Sequence, residues 1–262
     1  MDQHASAFAP TVLQRWSQRT NLVPALALVA LAAAGWGYVA FGSSATGMGS
    51  TAMGGAGGGA VFLFGWTAMM TAMMVPATLP LILLYRTTAS NDRRAIQSQI
   101  GMVVLLAGYL GVWAAAGIPV YAYSLVVEPV GSFGTVLPAA LLVVGGVYQF
   151  TPLKRRCHTR CSSPLGFLLQ HWRQGPAGAL RLGVVHGLDC LGCCAGLMVA
   201  LVALGMMNLA WVLTAAVVIF VEKTIPGSHR LARPLGVLMI AGGVVLLGAS
   251  LLGGVAPGMQ PM

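Results

Sequence analysis

Seven stretches of this chain, near residues 22–41, 60–85, 100–126, 136–153, 182–204, 208–223 and 235–255, run apolar with almost no charge inside them. A lipid hydrocarbon core about 30 Å thick takes about 20 helical residues to cross, and a span must satisfy its own backbone hydrogen bonds. That requirement leaves few folds open. Charged residues make up 7% of the 262, against about 25% in soluble domains, and the mean hydropathy is +0.83. The expected fold is all-α: a polytopic membrane helix bundle of about seven transmembrane helices, one domain over 1–262, in a bacterial inner (cytoplasmic) membrane.

The charges test this layout. The 14 basic residues fall in four groups: Arg15 and Arg19; Arg86, Arg93 and Arg94; Lys154, Arg155, Arg156, Arg160, Arg173 and Arg181; Lys223, Arg230 and Arg233. With seven spans and a cytoplasmic N-terminus, every group lies at or in a cytoplasmic segment, as the positive-inside bias requires. The C-terminus is then external. The net charge of +9 is explained by the same bias, so no nucleic-acid partner is needed. The first run is too long for a signal-peptide core, and the Gly/Ser/Met-rich segment 42–59 carries no charge and reads as a loop.

The fifth stretch holds His186-Gly-Leu-Asp-Cys-Leu-Gly-Cys-Cys194. At 3.6 residues per turn, His186, Asp189, Cys190, Cys193 and Cys194 share roughly 140° of one helical face. Ionisable groups inside a span are expensive, which makes this face a candidate site. Gly192 and Gly196 fall opposite, where another helix can approach closely. Met69, Met70, Met73 and Met74 sit at similar depth in the second stretch, as i, i+4 pairs ahead of Pro76 and Pro80. Thiols and thioethers at one depth form a soft-ligand set that favours Cu(I), with Zn also possible. Methionine is equally a flexible core filler, so packing alone explains the doublets as well. The ligand reading requires the second and fifth spans to touch.

The basic segment 154–181 carries a second candidate, Cys157-His158-x-x-Cys161, which reads as a metal entry point or redox relay at the cytoplasmic face. Ser162-Ser163-Pro164 can start a short helix whose Leu165, Phe167, Leu168 and Trp172 are expected on the bilayer surface. Glu222-Lys223, at the end of the sixth span, reads most simply as an interfacial charged pair.

Four motifs together resemble a bacterial family of uncharacterised integral membrane proteins to which metal binding has been ascribed. They are Trp66-x-x-Met69-Met70-x-x-Met73-Met74-x-Pro76, Cys161-x-x-Pro164-Leu165, His186-Gly-x-x-Cys190-x-x-Cys193-Cys194 and Glu222-Lys223-x-x-Pro226-Gly227. The resemblance runs from about residue 60 onward. It implies a helical membrane fold and metal binding, and it supplies no settled substrate.

Three functions follow. The first is a soft-metal protein, Cu(I) before Zn, acting in transport, storage or delivery, with a metallochaperone or membrane metalloenzyme as partner. The second is a thiol–disulfide oxidoreductase using Cys190 and Cys193, with Cys157 and Cys161 as relay. The third is an accessory or scaffold subunit, or a homo-oligomer, in which the cluster only packs helices. Of these the non-enzymatic metal reading accounts for most residues. No phosphate-binding loop is present to drive an ATP-dependent pump.

Overall fold

The computed structural model describes residues 19–42, 57–89, 95–127, 136–205, 208–225 and 228–252. Most of the Gly/Ser/Met-rich segment, together with Arg15, Arg93 and Arg94, lies outside these residues. Among the described residues there are nine α-helices and no strand. We number them α1 (Arg19–Gly37), α2 (Gly58–Ala89), α3 (Ala95–Val127), α4 (Val136–Tyr148), α5 (Pro152–Cys161), α6 (Pro164–His171), α7 (Gly175–Leu204), α8 (Leu209–Thr224) and α9 (Ala232–Leu251). A π-helical turn, Tyr38–Gly42, continues α1, and a 3₁₀ turn, Ser228–Leu231, precedes α9.

The organising element is α7. It packs along α3 on one side and against α4 and α5 on another, while α2 lies on α3 and α1 on α2. Helix α8 touches both α2 and α7, and α9 pairs with α4. Small residues on α7 set these distances. A Cβ at Gly187 would meet Val112 at 3.0 Å, and one at Gly196 would lie 2.8 Å from the Gly145 carbonyl oxygen. Backbones can only approach that closely where side chains are missing. The face expected to pack, Gly192 and Gly196, does pack: it receives α4 and α5. Tyr148 also donates its hydroxyl hydrogen to the Gly192 carbonyl at 2.6 Å.

Five helices among the described residues are long and apolar enough to cross a membrane: those within Leu22–Phe41, Gly58–Ala89, Ser98–Leu125, Gly175–Leu204 and Ala232–Leu251. The other two expected spans are shorter. Helix α8 has 16 residues and α4 only 13, and α4 meets α5 at a 68° bend, so the pair counts as at most one broken span. Sequence explains the bend. Pro152 has no amide hydrogen to continue α4, and the Thr151 hydroxyl accepts from the Lys154 amide, starting a new helix. The run 136–153 is thus interrupted where hydropathy alone reads through.

The basic segment after it is not an open loop. Helices α5 and α6 fold back over α7 and α2. Of the four residues expected on the bilayer surface, Phe167 and Leu168 are buried instead, in a cluster with Leu81, Ile82, Tyr85 and Leu182. Trp172 packs on Tyr85 with ring centroids 5.4 Å apart, and of the four only Leu165 is well exposed. The reason is that α6 is too short and too apolar on one side to lie alone; α2 supplies the surface it covers.

Candidate metal centre

Helix α7 carries the cluster inward. His186, Asp189, Cys190, Cys193 and Cys194 are all buried, as the spacing on one face requires. The four methionines of α2 are buried too, Met70 and Met74 completely, and they belong to the same core cluster as the three α7 cysteines. The methionine face of α2 and the thiols of α7 thus border one core without the two helices packing along each other, and Lys223 of α8 lies between Met74 and Cys190. Cys157 and Cys161 of α5 pack against that cluster as well.

Cys190 is the hub. The Tyr109 hydroxyl lies 3.0 Å from its sulfur, and the Lys223 ammonium donates to it at 2.7 Å. Lys223 Nζ also reaches Met74 Sδ at 3.8 Å, so one ammonium group bridges a thiol of α7 and a thioether of α2. The half-buried Cys161 of α5 packs against the cluster that holds Cys190 and Cys193. Cys193 and Cys194 turn back on their own helix, donating to the Cys190 carbonyl at 3.1 and 2.8 Å. Such back-bonding keeps buried thiols satisfied.

The remaining candidates separate from this hub. Asp189 pairs with Arg160 at 3.7 Å, and its other oxygen is buried without a partner. His186 lies between rings, 5.7 Å from Tyr109 and 5.0 Å from Phe167, with Nδ1 unpartnered. His158 is committed to helix α8 through Nε2 and the Glu222 carbonyl, 2.7 Å apart. The entry-point motif is thus divided: Cys157 and Cys161 turn toward α7 while His158 turns to α8.

Glu222 and Lys223 form no interfacial pair. Glu222 is 3% exposed and binds Lys154, also 3% exposed, at 3.1 Å; Lys154 additionally bonds Gln149. Lys223 goes the other way, to sulfur. Sequence reasoning missed Lys223, Lys154 and Tyr109 as parts of the site. The signal for the first was the Glu222-Lys223 motif itself, since two adjacent charges at a helix end point to different neighbours about 100° apart. Tyr109, inside a long apolar run, gave no signal beyond its polar oxygen.

Among the described residues no three His, Cys, Asp or Glu side chains are already spaced around one point as ligands. The donors bordering the hub are of the soft kind: thiols from two helices and a thioether from a third. The fold and this centre together define a helical protein, with helices of membrane-spanning length, built around a buried sulfur-rich cluster. The chain belongs to the PpoB2 copper chaperone family, whose match covers residues 63–246. That interval holds every residue of the hub. No curated protein and no solved structure matches the chain.

Proposed function

We propose that this protein is a membrane-embedded copper chaperone that holds Cu(I) among sulfur ligands and delivers it to a membrane metalloenzyme or a second metallochaperone. One observation carries the reading. Thiols of α5 and α7 and a thioether of α2 border one core cluster, with Lys223 touching both Cys190 and Met74, and the family is one of copper chaperones. Cys190 and Cys161 are the thiolate candidates, with Cys193 and Cys194 as reserve and Met74 the methionine that Lys223 touches. Met69, Met70 and Met73 line the same core. His186 and Asp189 stand along α7 toward α6 as stations on the approach, and Cys157 and His158 as parts of its outer end. Zn is the secondary cargo by ligand type.

Membrane embedding is supported by the outer surface. Val23, Leu26, Val103, Val144, Val217, Leu238 and Val245, on five of the helices, are all exposed, and so many large apolar side chains turned outward suit lipid better than water. An inner-membrane location with the basic α5–α6 segment cytoplasmic fits the charge distribution. Delivery is preferred to transport or storage because the family is described by that role.

The test is copper retention by purified protein in detergent, loaded with Cu(I) under reducing anaerobic conditions. Wild type is expected to retain Cu(I), and Cys190→Ser to lose most of it. Equal retention by both proteins would overturn the reading. A stable disulfide cycle between Cys190 and Cys193 during quinone turnover, with no copper held, would favour the oxidoreductase instead.

A further inference from the structure

Two carboxylates lie among the described residues, and both are taken by other cations: Glu222 by Lys154 and Asp189 by Arg160. Lys223 turns instead to the sulfur hub, where its ammonium touches Cys190 Sγ at 2.7 Å and Met74 Sδ at 3.8 Å. Glu222 is one residue earlier on the same helix, yet α8 directs the two charges to different helices. A lysine at an apolar helix end ordinarily extends along its stem toward water. Here the half-buried side chain turns its ammonium to sulfur, and a cation drawn partly out of water is stabilised by an anion beside it. The anion on offer is a thiolate.

Charge counting gives this arrangement a consequence. A monovalent ion held by two thiolates forms a centre of net charge −1, which one adjacent ammonium brings to zero. A divalent ion on the same two thiolates is already neutral, and the ammonium then stands as an unbalanced charge beside it. Recruiting a third thiolate would restore balance, but Cys193 and Cys194 are held by the Cys190 carbonyl. We propose that Lys223 is the specificity-determining residue of the centre, selecting a soft monovalent cation over a soft divalent one by fixing the charge that the bound ion and its thiolates must carry. This rests on the copper reading above and adds to it the basis of discrimination. Lys223 contacts the ligand sulfurs rather than the ion, so it acts by charge and not as a ligand.

Ag(I) and Cd(II) separate charge from softness, because both are thiophilic and differ by one unit of charge. Competition titrations with each ion, on the full chain in detergent, give two affinities for wild type, Lys223→Gln and Lys223→Arg. Losing a charge-assisted contact is expected to weaken Ag(I) by about a hundredfold in Lys223→Gln. Cd(II) should weaken far less or tighten, so the Ag(I)/Cd(II) preference drops by at least about tenfold. Lys223→Arg should restore the wild-type preference, a rescue that a merely structural role would not produce. Where Lys223→Gln does not fold, Lys223→Leu takes its place. An unchanged preference in the neutral variant, or an arginine variant that behaves like the neutral one, overturns the inference while leaving copper binding intact. Failure of wild type to bind either ion overturns the copper reading itself.

Discussion

Replacing Lys154 with methionine should unfold the outer wall of the sulfur hub. Its ammonium sits 3.1 Å from Glu222, and both side chains are 3% exposed. At an effective dielectric of about 20, two unit charges at that separation attract by about 5 kcal/mol. Removing both ions from water costs several kcal/mol each, so the intact pair contributes little net stability. Breaking it is another matter. Lys154→Met leaves Glu222 buried without its lysine partner, at a cost of about 3–5 kcal/mol. Gln149 loses its donor as well, since Lys154 also bonds its carbonyl oxygen. The double variant Lys154→Met/Glu222→Met removes both members of the pair and keeps the Gln149 penalty, about 1–3 kcal/mol. The two substitutions should therefore couple by more than about 2 kcal/mol. Unfolding by SDS in mild detergent, followed by far-ultraviolet circular dichroism, measures each corner of the cycle. Maleimide labelling of Cys161 should quicken in Lys154→Met, because α5 is held to α8 by this pair and by His158 on the Glu222 carbonyl. Additivity within about 0.5 kcal/mol would refute the reasoning, since it would mean that the two charges do not depend on each other.

Two other substitutions probe the walls of the centre. A Cβ at Gly192 would sit 2.6 Å from Cys157 Sγ and 3.3 Å from its Cβ, so Gly192→Ala should destabilise by about 1–3 kcal/mol; adding Cys157→Ala should recover most of it in the same denaturation assay. Asp189→Asn should change stability by less than about 1 kcal/mol, because its partner Arg160 is 62% exposed and solvent screens the pair; a loss of several kcal/mol would show that Asp189 has a further structural role.

Helix positions were legible from hydropathy wherever a run was long and uninterrupted, as in α2, α3 and α7. The chemistry-bearing face of α7 was legible from helical periodicity alone, because the 3.6-residue repeat places His186, Asp189, Cys190, Cys193 and Cys194 together whatever surrounds them. The interruption after Tyr148 was not, since hydropathy averages over Thr151 and Pro152 while a single missing amide decides the bend. Helix α6 misled for a related reason. Its apolar side suits a bilayer surface or a neighbouring helix equally, and only the tertiary arrangement shows Phe167 and Leu168 against α2. The packing of Cys161 against the α7 cluster depends on the angle at which α5 folds back, which no local pattern encodes. Lys223 was misread because adjacency in sequence suggests a pair, whereas a helix turns neighbouring side chains apart.

The account turns on sulfur from separate helices closing around a single copper ion. X-ray absorption at the copper edge, on protein loaded with one equivalent of Cu(I), reads the identity of the atoms in contact with the metal. The expected result is a first shell of sulfur alone, losing a scatterer in Cys161→Ser as well as in Cys190→Ser. A shell of nitrogen or oxygen, or one unchanged when Cys161 on α5 is replaced, would contradict it.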